Sequence, residues 1–137
     1  MFETPVVLIV YKRLETTKRV FQVIKSIRPL KLYLVADGPK TDKEVNSSIL
    51  VRTYLEENID WECNVRKIYS STNLGLAKRV QTGLDEVFSM EECAIILEDD
   101  TLPSPSFFSF CDELLLKYKK DERITHISGC NLYPEAF

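Results

Sequence analysis

Unbroken apolar runs alternate along this chain with segments whose apolar positions recur at helical spacing. Val6-Val7-Leu8-Ile9-Val10-Tyr11 is a largely β-branched run, the pattern of a strand covered on both faces. Val20, Phe21, Ile24 and Ile27 then predict a helix that Pro29 ends, because its ring and missing N–H cannot continue the ladder. Leu32-Tyr33-Leu34-Val35-Ala36 predicts a second buried strand, broken by the turn residues Asp37-Gly38-Pro39. Thr41-Asp42-Lys43-Glu44 fits a capping box ahead of a second helix carrying Val45, Ile49, Leu50 and Tyr54.

Val65 to Tyr69 carries charge within its run, which predicts a shorter, more exposed strand at a sheet edge. After the loop-forming Ser70-Ser71-Thr72-Asn73, the positions Leu76, Ala77, Val80, Leu84, Val87 and Phe88 predict a third helix. Cys93 to Leu97 reads as a fourth strand. Ser104-Pro105 opens a fourth helix whose apolar face is Phe107, Phe108, Cys111, Leu114, Leu115 and Tyr118. Ile124 to Gly129 reads as a fifth strand, in which His126 is expected as a hydrogen-bonded core residue. This alternation predicts an α/β fold, Rossmann-like, with a mostly parallel sheet and helices on both faces.

Composition narrows the classes. With 137 residues, 45% hydrophobic and 28% charged, the chain has the makings of a packed domain. A formal net charge of −3 provides no field that would gather nucleic acid, so an anionic ligand must be held locally. Cys63, Cys93, Cys111 and Cys130 are widely and irregularly spaced, which indicates free thiols in a reducing, cytoplasmic setting rather than a zinc or disulfide framework. No apolar run is long enough to span a membrane.

Open parallel sheets bind ligands outside the carboxyl ends of their strands, so the residues directly after each run are the candidates. Lys12 and Arg13 follow the first strand, Asp37 and Gly38 the second, and Glu98-Asp99-Asp100 the fourth. Three consecutive acids repel unless a proton or cation intervenes, and carboxylate oxygens suit Mg²⁺ or Mn²⁺, which commonly share their shell with phosphate oxygens. Asp37 could accept hydrogen bonds from a nucleobase or ribose, with Gly38 allowing a flat ring near the backbone. Arg13 opposes the dipole of the helix it starts, so its position implies another benefit, such as a diphosphate contact. Lys78 and Arg79 lie near the start of the third helix, where a phosphate could be met, although for each taken singly a solvated cation is the more ordinary reading.

Ala94-Ile95-Ile96-Leu97-Glu98-Asp99-Asp100, followed by Leu102, Pro103, Phe107 and Phe108, resembles the Glu-Asp-Asp form of the metal-binding DxD motif of GT-A nucleotide-sugar glycosyltransferases. The likeness is greatest to the branch containing N-acetylglucosaminyltransferase I. Pro5 to Arg13 resembles that family's first strand, Val35-Ala36-Asp37-Gly38 its uracil-binding strand end, and Asn73-Leu74-Gly75-Leu76-Ala77 the loop and helix bordering the donor site. The resemblance implies a UDP-sugar donor held by Tyr11, Arg13, Asp37, Gly38, Lys78, Arg79, Glu98 and Asp99, with Asp100 as the ligand of Mn²⁺ or Mg²⁺. It implies that residues 1–137 form the donor-binding portion of a GT-A domain cut after about its fifth strand, with the catalytic base and acceptor pocket beyond Phe137. An exposed sheet edge would then favour pairing with another copy. A nucleotidyltransferase would be expected to carry a glycine-rich basic loop after the first strand, where this chain has Tyr11-Lys12-Arg13-Leu14-Glu15. A non-catalytic nucleotide-sugar-binding module remains the other alternative.

Overall fold

The computed structural model describes residues 2–130. The chain divides into two bodies, one ending at Pro103 and one beginning at Ser104. The first body is α/β. Its strands are β1 (Val6–Val10), β2 (Lys31–Ala36), β3 (Asn64–Tyr69) and β4 (Ile95–Glu98); its helices are α1 (Leu14–Ile27), α2 (Val45–Asn58) and α3 (Leu76–Phe88). The four strands form one sheet in the order β3-β2-β1-β4, every pair parallel.

The compositions of β1 and β3 match their places. β1 is fully buried because it is central and covered on both faces, which is why its run is uninterrupted. β3 forms one edge, where Arg66 and Lys67 reach Glu86 and Glu56 in exposed ion pairs that add little stability. On one face Val7, Ile9, Tyr33, Val35 and Ile68 pack under α3, with Val87 buried and Val80 and Leu84 partly so. Gly83 permits this close approach, since a Cβ there would come within 2.6 Å of Val35 Cγ1. The alternate positions face α1 and α2, which lie side by side: the Phe21 ring meets Tyr54 edge-on at 5.8 Å, and Gln22 Nε2 donates to the Tyr54 hydroxyl at 3.0 Å. α1 ends at Arg28, which adopts a left-handed φ of 50° directly before Pro29.

Two local expectations are corrected. The capping box at Thr41 does not form: residues Asp42–Glu44 make a short 3₁₀ turn, no side chain caps it, and Glu44 is drawn instead to β1's trailing loop. The fifth strand is also absent among the described residues. In the second body α4 (Pro105–Tyr118) buries Phe108 and Cys111, and the following chain turns on Asp121, whose carboxylate accepts from Arg123 and whose carbonyl accepts the Ile124 amide. Residues 124–130 then run without ladder partners, and His126 is exposed rather than in a core. Ile124 to Gly129 reads as a strand-like run, but a strand exists only where a neighbour supplies its hydrogen bonds. All four cysteines are free, and among the described residues no helix is long and apolar enough to cross a membrane.

Candidate functional site

The chain runs outward from β1 to β2 to β3, then returns through α3 to place β4 on the other side of β1. The reversal leaves a crevice between the carboxyl ends of β1 and β4, the place where such sheets bind ligands. Register pairs Ile9 with Glu98, so the loop of Tyr11, Lys12 and Arg13 meets Asp99 and Asp100 at one level.

Arg13 is the N-cap residue of α1, a position unfavourable for a cation unless something compensates. The compensation is direct. One guanidinium nitrogen bonds Asp99 Oδ1, and the other lies 2.9 Å from Asp100 Oδ2. The two acids differ in access: the Asp99 side chain is only 3% exposed and that of Asp100 is 47% exposed. Asp99 Oδ2 also accepts the Tyr11 backbone N–H at 3.3 Å, so Asp99 ties β4's end to β1's loop. Asp100 is the acid that an incoming group can reach. A hollow of about 150 Å³ opens beside it, lined by Thr16, Arg19, Val20, Asp99, Asp100 and Leu102. Glu98 is exposed on the opposite face of the sheet, its carbonyl closing the turn to the Thr101 amide at 3.1 Å.

Tyr11 works through its hydroxyl. It donates to Glu44 Oε2 and accepts from the Lys40 amide at 3.1 Å and Asn73 Nδ2 at 3.3 Å, joining the loops after β1, β2 and β3. Lys12 Nζ also binds the Glu44 carboxylate. These contacts hold the Glu44 carboxyl down at about 2 from its ordinary 4.5, through the Lys12 hydrogen bond first, then the Tyr11 hydroxyl and Lys40 amide. The folded state therefore binds fewer protons there than the unfolded chain. Its contribution to stability is complete above pH about 4.5 and declines as the pH falls through about 2. Glu44→Gln is expected to flatten this part of the pH profile, as read from thermal midpoints of both proteins across that acid range. Equal slopes would show that Glu44 is not coupled to folding.

Asp37 is buried, and its carboxylate accepts three backbone amides: Gly38 and Leu74 on Oδ1 at 2.9 Å each, and Gly75 on Oδ2 at 3.0 Å. This clamps the end of β2 to the loop leading into α3 and leaves one acceptor direction, on Oδ2, for any other donor. Gly38 is needed for a close approach of backbone to backbone, because a Cβ there would overlap the Thr72 peptide. Asn73 adds a 2.8 Å bond from its amide to the Gly38 carbonyl.

The cations on α3 diverge. Lys78 is exposed, as expected of a solvated residue. Arg79 is not part of a solvated pair: it is 7% exposed and lies beneath α3 against Gly83. Its guanidinium has no hydrogen-bond or ion-pair partner among the described residues, and its Nε is sealed from solvent.

Tyr11, Arg13, Asp99 and Asp100 are thus brought together, Asp37 and Gly38 join the Asn73–Gly75 loop beside them, and Lys78, Arg79 and Glu98 stand apart on α3 and the α3 face. Sequence reasoning missed Glu44, Thr16 and Arg19 as parts of this region, whereas Asn73 lies in the loop it placed at the border of the donor site. The Glu44 spacing from Thr41 pointed to a local cap; its carboxylate does accept the local Lys40 amide at 2.9 Å, but its side-chain partners Tyr11 and Lys12 lie more than thirty positions away. Comparison with protein-family models, curated proteins and solved structures finds no match. The fold and site define an α/β protein whose polar groups gather at the reversal point of a parallel sheet.

Proposed function

We propose that this chain supplies the donor half-site of a metal-dependent GT-A glycosyltransferase, binding a nucleotide sugar, with a UDP-sugar as the leading candidate. The observation that supports it is the polar group at the β1/β4 reversal: a reachable Asp100 beside a hollow, with the Arg13 guanidinium against it.

The residues present fit a divalent cation on their chemistry. Among the described residues no three His, Cys, Asp or Glu side chains converge as a ready cage. One accessible carboxylate, completed by diphosphate oxygens and water, is a donor set that Mg²⁺ commonly accepts, and hard oxygen ligands suit Mn²⁺ equally. When bound, such an ion supplies charge neutralisation for a departing nucleoside diphosphate. Asp100 would hold it. Arg13, bidentate and always charged, binds phosphate oxygens, and buried Asp99 keeps it oriented. Asp37 fixes the loop that walls the crevice, and the Tyr11 hydroxyl locks that loop to β1.

Calorimetry with UDP and UDP-sugars, with and without Mn²⁺, tests the proposal. Binding should require the metal, and Asp100→Ala should lower affinity by about tenfold or more, the loss expected of a main metal ligand rather than a bystander carboxylate. Metal-independent binding, or unchanged affinity in Asp100→Ala, would sink the assignment.

A further inference from the structure

Arg13 already bridges the two aspartates, with one guanidinium nitrogen on Asp99 Oδ1 and the other 2.9 Å from Asp100 Oδ2. The Asp100 carboxylate that a divalent ion would approach therefore already carries a positive partner. A metal ion and a guanidinium a few ångströms apart repel, so the two compete for Asp100. The same planar fork that fits a carboxylate also fits phosphate.

We propose that Arg13 is a placeholder cation that makes metal binding at Asp100 conditional on the ligand's diphosphate. The inference rests on the donor-site reading above and concerns how that site loads. The two arms of the bridge are unequal. Asp99 is buried and anchored a second time by the Tyr11 amide at 3.3 Å, so it is the fixed arm. Asp100 is half-exposed at the rim of the hollow, so it is the arm that releases. On binding, Nη1 transfers from Asp100 to a phosphate oxygen while Nη2 stays on Asp99. Asp100 is then free for the cation, whose remaining ligands include the diphosphate itself. The diphosphate removes the competitor and completes the metal's shell, so nucleotide and metal bind as a coupled pair, each strengthening the other by the same factor. Arg13 acts here as a positioning residue.

Mn²⁺ binding to the full chain, followed by electron paramagnetic resonance of the free ion, tests this with and without UDP. Wild type should bind Mn²⁺ at least about fivefold more tightly when UDP is present, and UDP more tightly by the same factor when Mn²⁺ is present. Arg13→Gln should bind Mn²⁺ alone about fivefold or more tighter than wild type, with the coupling to UDP reduced. Arg13→Lys, which keeps the charge for Asp99 but cannot span both acids, should fall between them and guards against misfolding of the glutamine variant. Equal Mn²⁺ affinity of wild type with and without UDP overturns the proposal without any variant. Variants that bind Mn²⁺ alone no better than wild type overturn it while leaving the donor site standing. No Mn²⁺ binding by wild type even with UDP removes the donor-site reading itself, and this inference with it.

Discussion

Asp37→Ala is expected to lower the stability of the first body by about 2–4 kcal/mol, the cost of leaving several amides without their charged acceptor. The carboxylate is buried, and the amides of Leu74 and Gly75 reach it from a loop 37 and 38 positions away. No other described side chain takes them. Against the 5–15 kcal/mol typical of a small domain, that is a substantial share. Urea denaturation gives the magnitude, and hydrogen exchange gives the location: Leu74 and Gly75 should lose protection while amides of β1 are slowed by global unfolding alone. Asp37→Asn keeps one acceptor oxygen but turns an N–H towards an N–H, so its loss should be intermediate. If both variants melt like wild type, the clamp is ornamental and Asp37 is available for a ligand.

Phe21→Ala should cost about 3–5 kcal/mol, the range for emptying a buried aromatic site whose surroundings cannot collapse. Phe21 is fully buried on α1, meeting Tyr54 edge-on at 5.8 Å and Trp61 at 6.1 Å. Trp61 is itself held by its indole N–H on the Pro29 carbonyl at 2.9 Å. The ring therefore joins α1, α2 and the segment before β3, and an alanine leaves a void that rigid helices on a sheet cannot fill. Thermal and urea unfolding check the size of the loss. A change below about 1 kcal/mol would mean that the helices close over the gap. Phe21 does not line the hollow beside Asp100, so under the proposed donor site the folded variant should match wild type in any UDP and Mn²⁺ binding, which separates stability from site chemistry.

The strands and helices of the first body were legible because each carries its environment in its composition. β1 and β2 are unbroken apolar runs since both faces are covered, and β3 carries Arg66 and Lys67 because it lies at an edge. The candidate residues were legible in part for the same reason: positions after apolar strands fall at the sheet's carboxyl edge whatever the order of strands. Their roles were less so. Asp37 reads as a turn or recognition residue and proves to be a clamp, and Glu44 reads as a local cap and proves to hold Tyr11 and Lys12. Arg79 reads as a phosphate-binding cation or one of a solvated pair and proves buried, because α3 turns the Arg79, Gly83 and Val87 stripe towards the sheet. Each of these depends on partners distant in the chain, for which spacing carries no signal.

The α/β class, the element order of the first body, the edge character of β3 and the acids at the end of β4 could be read from the chain alone, since these follow from period, propensity and composition over a few neighbouring residues. Only the tertiary structure decided the order β3-β2-β1-β4, and with it that Arg13 should lie against Asp99 and Asp100 rather than elsewhere on the edge. It also decided that the strand-like run from Ile124 has no strand to join among the described residues. The physical reason is common to both: a strand needs a neighbour's hydrogen bonds and a charge needs a counter-charge, and which segment provides them is settled by packing the whole chain.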